Sequence, residues 1–192
     1  MRSMESGGRS PIDSKVIKTA RCTIKTVGDD QLGQLLDVYR ECEDFLSLGP
    51  QPKASLEMVR ADLEQSKTEG GTYCGIWDSQ GEIIGIVDFI AGGYDGEAEQ
   101  GFLSLLMISK SHRGLGIGTE IVAAIEERLM EGYGVTTMLS AVQSNNHAAM
   151  CFWQRMGYRV VTGPEPQQDG TVTCGLRKDL ACQATRPQED TL

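Results

Sequence analysis

The sequence predicts a mixed α/β domain: a mostly antiparallel sheet of about six to seven strands, with helices on both faces. Two observations lead to this. Apolar residues recur with helical spacing in four segments and with strand-like patterning in the segments between them. Three consecutive strand-like segments joined by short turns then run into a β-α-β crossover, which excludes a doubly wound, fully parallel sheet. The length of 192 residues and the 40% hydrophobic content suit one domain with a sizeable core.

The order of elements reads β-α-α-β-β-β-α-β-α-β-β. Cys22–Val27 alternates as a short strand, and Asp29 or Asp30 can cap the helix that follows. Leu32, Leu35, Leu36 and Tyr39 form one face of that helix, and a loop with Gly49, Pro50 and Pro52 ends it. Ser55 can cap a second helix whose stripe is Leu56, Val59 and Leu63. Thr72–Trp77 and Glu82–Ala91 read as a hairpin across the turn Asp78-Ser79-Gln80-Gly81. Phe102–Ile108 is apolar on both faces, as a central strand should be.

Ile117, Ile121, Val122, Ile125 and Leu129 line one side of a third helix, with Glu120, Glu127, Arg128 and Glu131 opposite and Gly132 and Gly134 as stops. Met138–Val142 is a strand. Asn145 or Asn146 caps a fourth helix carrying Ala149, Phe152, Trp153 and Met156, closed by Gly157. Tyr158–Val161 and Thr171–Leu176 form a last pair of strands around a Pro/Gln/Gly loop.

Composition narrows the function. The formal charge of -9 disfavours nucleic acid as a partner and weakly favours a cationic one. No apolar run is long enough to span a membrane, so no membrane partner is expected. The six cysteines, Cys22, Cys42, Cys74, Cys151, Cys174 and Cys182, are scattered without a C-x-x-C pair. Together with only two histidines, His112 and His147, this predicts no metal site and a reduced, cytoplasmic protein.

Chemistry concentrates in the turn after the central strand, Ser109 to Gly118. Glycines there let backbone approach a ligand, and the N-terminus of the next helix offers free N–H groups and a positive dipole end to a phosphate. A Walker loop needs G-x-x-x-x-G-K-[ST], which is missing. A dinucleotide fingerprint from Gly114 would need a third glycine where Thr119 stands. What remains is R-x-x-G-x-G: Arg113, Gly116 and Gly118.

That spacing resembles the pyrophosphate loop of the GCN5-related N-acetyltransferase (GNAT) superfamily. A second segment, Asn146 to Tyr158, resembles the family's N-x-x-A-x-x-F-Y-x-[KR]-x-G-F stretch, and the two together extend the likeness over roughly Cys22 to Leu180. The expected organisation is a flexible leader over 1–20, a GNAT acyltransferase domain over 21–181 and a flexible tail over 182–192.

The resemblance implies acetyl-CoA as co-substrate, without a metal. Main-chain groups of Leu106, Met107 and Ile108 would hold the pantetheine arm and the acetyl carbonyl. Arg113, Gly114, Leu115, Gly116, Ile117 and Gly118 would wrap the pyrophosphate, Asn146 would touch the CoA arm, and Trp153 would pack near it. The thioester would lie in a gap between the strands Phe102–Ile108 and Met138–Val142. The reaction implied is direct transfer of acetyl to a primary amine in a ternary complex, on a small cationic molecule in preference to a protein. The alternative is a non-catalytic acyl-CoA-binding sensor, and a homodimer is left open.

Two positions depart from the family pattern. Trp153 stands where many members have a tyrosine that protonates the departing thiolate; an indole N–H only donates and is not acidic enough. A thiol pKa of about 8.5 still makes the thiolate a tolerable leaving group, and Tyr158 or Tyr133 could substitute. Phe102 stands where some members carry a glutamate base. The need is real: an amine of pKa about 10.4 is neutral in roughly one molecule in 2,500 at pH 7, a cost of about 4.6 kcal/mol. Asp88, which interrupts the apolar run Ile83 to Ile90, is the first candidate base, and Glu99 the second. Glu43–Ala54 and Gly163–Gly170 are the loops expected to set acceptor selectivity.

Overall fold

The computed structural model describes residues 16–180. Eight strands form one sheet in the order β1-β2-β3-β4-β5-β6-β8-β7, numbered along the chain: β1 (Ile17–Lys18), β2 (Thr23–Thr26), β3 (Thr72–Trp77), β4 (Ile83–Ile90), β5 (Gln100–Ile108), β6 (Thr137–Gln143), β7 (Arg159–Pro166) and β8 (Val172–Asp179). Every neighbouring pair is antiparallel except β5–β6, the crossover. The helices are α1 (Leu32–Glu41), α2 (Glu43–Leu46), α3 (Leu56–Thr68), α4 (Ile117–Tyr133) and α5 (His147–Arg155).

Both faces are covered. On one, Leu35, Val38 and Tyr39 of α1 and Val59 and Leu63 of α3 pack on Tyr73, Ile86 and Met107. On the other, Ile121, Ile125 and Leu129 of α4 and Trp153 of α5 pack on Ile24, Ile76, Val87, Leu103 and Met138. Apart from Val38, which the helical spacing did not mark, these helix residues belong to the stripes read from the sequence, and their burial is the main driving force for docking the helices.

Several details differ from expectation. The extra strand is β1, which falls within the segment read as leader and pairs Ile17 with Ile24; two residues are too few to show a period. Residues 1–15 and 181–192, with Cys182, lie outside the described residues. Four residues of the Glu43–Ala54 loop form α2. Asp29 and Asp30 make no side-chain cap; they begin a 3-10 turn whose Gln31 Oε1 accepts from Gly28 N at 2.9 Å. Gly132 lies inside α4, and Gly134, at φ 69°, ends it. Ser55 does cap α3, and of the two asparagines Asn146 caps α5, its Oδ1 accepting from Ala149 N at 3.0 Å. β7 continues through Pro164 and Pro166, tolerated because it is an edge strand.

Candidate active site

The parallel pairing of β5 and β6 runs from Gln100↔Thr137 to Leu103↔Ser140 and stops there. Ser140 Oγ donates to Leu103 O at 2.8 Å and closes the last rung. Beyond it the C-terminal half of β5 has a neighbour only on the β4 side. At the same point β5 bulges: Asp88 pairs with Leu105 and Phe89 with Leu103, so Ser104 has no partner residue. An extra residue increases local twist and turns the strand aside. The gap predicted between these two strands is therefore present.

Next to the gap is a cavity of about 750 Å³, within the range of ligand sites. Of the residues assigned to CoA, Leu106, Met107, Ile108, Arg113, Gly114, Gly116, Ile117, Gly118, Asn146 and Trp153 line it. Leu115 does not: its side chain is exposed, and its carbonyl accepts from Arg21 Nη1 at 2.6 Å. Arg21 Nε also donates to Glu120 Oε2 at 2.6 Å, so one side chain ties the β1–β2 turn to both the glycine loop and the first turn of α4.

The loop fits a polyanion. Gly114 and Gly116 have φ of 76° and 78°, left-handed values that strain any other residue. Gly116 is the N-cap of α4, and the helical bonding starts with Glu120 N donating to Gly116 O at 3.1 Å. The N–H groups of Ile117, Gly118 and Thr119 precede that bond and have no carbonyl within the helix to take them. They sit at the positive end of a 17-residue helix. A Cβ on Gly118 would stand 3.4 Å from the Phe152 ring, so glycine there lets α5 come close to α4.

The Arg113 side chain takes another role. Its Nε donates to Ile108 O at 2.7 Å and its two Nη atoms make a forked pair with Asp44 of α2, at 2.6 and 3.1 Å. That pairing holds the Asp44 carboxyl below its ordinary range. Ser111 Oγ adds a bond to Glu41 Oε2 at 2.9 Å. The glycine loop is thus fastened to α1 and α2, and Asp44, Phe45 and Leu48 become the far wall of the cavity. Arg155, His147 and His112 also line it. His147 is nonetheless exposed, and Arg155 was visible in the sequence only as the [KR] of the α5 motif.

Trp153 is 6% exposed and meets Phe152 and Tyr158 edge-on, at ring centroid distances of 5.2 and 4.8 Å. It borders the cavity as packing. Tyr158 is turned into the core, where its hydroxyl donates to Glu126 Oε1 at 2.9 Å and burial, then the Glu126 charge, push its pKa up. Glu126 Oε2 accepts from Lys178 Nζ at 2.5 Å, which makes a buried triad under α4. Tyr133 lies at the far end of α4, in a smaller hollow beside Ile17 and Cys74. Neither tyrosine faces the gap. Phe102 stacks on Tyr94 at 4.3 Å.

The candidate bases separate cleanly. Asp88 lies on the α1/α3 face of the sheet, 8% exposed, with Ser66 Oγ donating to Oδ1 and Ser104 Oγ to Oδ2, each at 2.7 Å. Glu99 precedes β5 at its other end: its main-chain oxygen accepts from Thr136 N and Thr137 N, and its Oε2 from Thr136 Oγ1 at 3.2 Å. At about 3.3 Å per residue it is roughly 23 Å along the strand from Leu106, and the fold does not bring it to the gap. Beside Asp88 sits a second buried carboxyl that sequence reading missed. Asp62 of α3 accepts from Tyr39 Oη at 2.5 Å, Tyr39 in turn meets Tyr73 Oη at 2.7 Å, and burial raises the Asp62 pKa, with Asp88 adding to the rise.

The family model described as "Acetyltransferase (GNAT) family" matches residues 34–158, which holds the glycine loop, both sides of the gap and the α5 motif. The chain belongs to the GNAT family. It is accordingly an acyltransferase, and its α/β sheet is the GNAT fold. A relative named "probable spermine N(1)-acetyltransferase", from Bacillus subtilis subsp. natto, is 26% identical over 139 residues, 71% of this chain and 86% of that protein. A crystal structure of an acetyltransferase from Thermus thermophilus superposes with a TM-score of 0.68 at 26% identity, covering 86% of this chain and 100% of that one. A spermidine N-acetyltransferase from Vibrio cholerae, solved with CoA and spermine, superposes with a TM-score of 0.64 at 12% identity, over 83% of this chain and 96% of that one, and so shares the GNAT fold.

Among the described residues no three His, Cys, Asp or Glu side chains gather as a metal site, and no helix is long and apolar enough to cross a membrane. Cys22, Cys42, Cys74 and Cys174 are buried and unpaired, and Cys151 is exposed on α5. Burial pushes the Cys74 thiol up to about 12, which leaves it inert.

Proposed function

We propose that this GNAT enzyme transfers acetyl from acetyl-CoA directly to a primary amine of a small, cationic molecule. The observation that carries this is the end of β5–β6 pairing at Leu103↔Ser140 beside a cavity floored by the unbonded N–H groups of α4. A thioester arm laid along Leu106–Ile108, with its pyrophosphate on Gly114–Gly118, puts its acyl end at the gap. Arg155 and His147 stand where further phosphate charge would fall, and Asn146 borders the arm.

On the other face of the sheet the gap opens beside Asp88. An ammonium arriving there must lose a proton before its nitrogen can attack, and Asp88 is the destination. Trp153 supplies no acid, so the CoA thiolate leaves as such and takes its proton from water. The acceptor is read as cationic from the charge of -9, from the carboxylates Asp88 and Asp62 behind the gap, and from the relative named for spermine. The unpaired cysteines support a reducing compartment such as the cytoplasm.

The test is release of free thiol from acetyl-CoA across diamines, polyamines, aminoglycosides and peptide N-termini. Turnover with cationic small amines above peptides is expected. Preference for a peptide would overturn the acceptor class. Tight CoA binding without thiol release on any amine would favour the sensor.

A further inference from the structure

We propose that Ser104 is a catalytic residue, which takes the proton of the acceptor amine on its Oγ and passes its own hydroxyl proton to Asp88. This rests on the amine-acetylating function above. Three observations lead to it. Ser104 is the first residue of β5 beyond the last rung with β6, so it stands at the apex of the gap, and it is exposed. It is the bulged residue, skipped between Leu103 and Leu105 in the pairing with β4. Its Oγ lies 2.7 Å from Asp88 Oδ2 and 3.0 Å from Asp88 O.

A hydroxyl has one hydrogen. Both of these neighbours are acceptors, so that hydrogen points at Asp88 and the oxygen lone pairs are left for a donor from the open side. The donor available there is the ammonium of the acceptor. Asp88 cannot meet it directly at 8% exposure, and Ser66 Oγ fixes its other oxygen. The charged and titratable groups around Asp88 are Asp62 of α3 and Tyr73 and Cys74 of β3, with Tyr39 of α1 behind Asp62 and Tyr73; among the described residues no Lys or Arg bonds to it. Its carboxylate is not neutralised by an ion pair, so a proton can end there. Two residues, about 7 Å, separate Ser104 from Leu106, where the acyl carbonyl is expected.

The step balances. An ammonium N–H proton moves to Ser104 Oγ as the Ser104 proton moves to Asp88 Oδ2. The freed nitrogen lone pair forms the C–N bond to the acyl carbon. The C–S bond breaks with its electron pair staying on sulfur. The second proton released from nitrogen goes to that thiolate through water, and Asp88 returns its own to solvent. Products are the acetamide, CoA thiol and one proton.

The experiment measures steady-state thiol release by the full chain with a cationic amine that the wild type acetylates. Ser104→Ala should lower kcat about 100-fold at pH 7, the scale of general-base assistance, with the acetyl-CoA KM unchanged within about twofold. Ser104→Thr should restore most of the rate, which loss of a merely structural serine would not predict. Asp88→Asn should match Ser104→Ala, and the double variant should be no slower than either, since both lie on one path. With an acceptor of low pKa, such as an alkoxyamine, already neutral at pH 7, the defects should shrink to about threefold or less. The Asp88→Asn arm keeps the test decisive if Ser104→Ala fails to fold. Ser104→Ala within threefold of wild type on the cationic amine, or multiplicative effects in the double variant, would overturn the relay alone. A wild type that acetylates no amine would overturn the function and the relay with it.

Discussion

Replacing Gly116 by valine separates the anion cradle from the fold that carries it. The position has φ of 78°, and the nearest atom to an added Cβ is the end of the flexible Arg21 side chain, 3.6 Å away. No backbone clash opposes a side chain; the cost is conformational, about 1–2 kcal/mol for an L residue in left-handed backbone and more for a β-branched one. If the loop keeps its shape, that cost appears as a melting point lower by about 2–4 °C per kcal/mol for a domain of this size. If the loop relaxes to negative φ, the N–H groups of Gly116 and Ile117 rotate away from the phosphates. Losing two hydrogen bonds to a charged group costs about 3–6 kcal/mol, or roughly 10²- to 10⁴-fold in affinity. Isothermal titration with CoA, alongside thermal unfolding with and without CoA, reads both outcomes. The expected result is a folded variant, a few degrees less stable, that CoA no longer stabilises. CoA affinity within threefold of wild type would show that the pyrophosphate does not sit on this loop.

Three other perturbations follow from the geometry. Lys178→Met leaves Glu126 buried at 8% side-chain exposure without its ion partner, a loss of about 3–5 kcal/mol that should lower the melting point by roughly 6–20 °C, while pairing it with Glu126→Leu should recover most of it; an unchanged melting point in the single variant would mean that the pair is not buried. Asp62→Asn keeps an oxygen for Tyr39 but removes the charge. Because the folded state raises the Asp62 pKa, wild-type stability falls as pH climbs from the unfolded value of about 3.9 through the folded one, so the variant should melt higher at pH 7 and equal to wild type below about pH 3.9. A gain confined to acid would reverse that sign. Arg113→Ala should raise the acetyl-CoA KM by about three- to tenfold with kcat largely kept, and cost at most about 1 kcal/mol of stability because its pair with Asp44 is half exposed. A fall in kcat with KM unchanged in steady-state kinetics would mean that the guanidinium acts on chemistry and not on the loop.

Much of the fold could be read from local pattern. The stripes of α1, α3 and α4 recur over two or more turns, long enough for the period to rise above chance, and each faces the core, with Leu36 and Leu56 partly buried at its margin. β1 and α2 were missed because two and four residues carry no period. Asp88 showed itself as a carboxylate inside an apolar run. Its two serines did not, since Ser66 and Ser104 come from other elements, 22 and 16 residues away. Glu99 ranked second to Asp88 as a candidate base, and strand length put it at the wrong end of β5. Arg113 was read as a phosphate ligand because its place in the motif says where its backbone goes, while its side chain follows Asp44, 69 residues away.

The amino-acid sequence by itself determined the family and marked the glycine turn proposed to hold the donor, because a glycine spacing and a helix start are local: they depend on φ, on N–H groups and on residues a few positions apart. The tertiary structure alone decided which side chains meet at the gap, and so where the proposed relay could run. A bulge at Ser104, the last rung at Leu103↔Ser140 and a helix carrying Ser66 meet at Asp88 only when the sheet is assembled, and a relay needs oxygen atoms within 3 Å, a distance that only register sets.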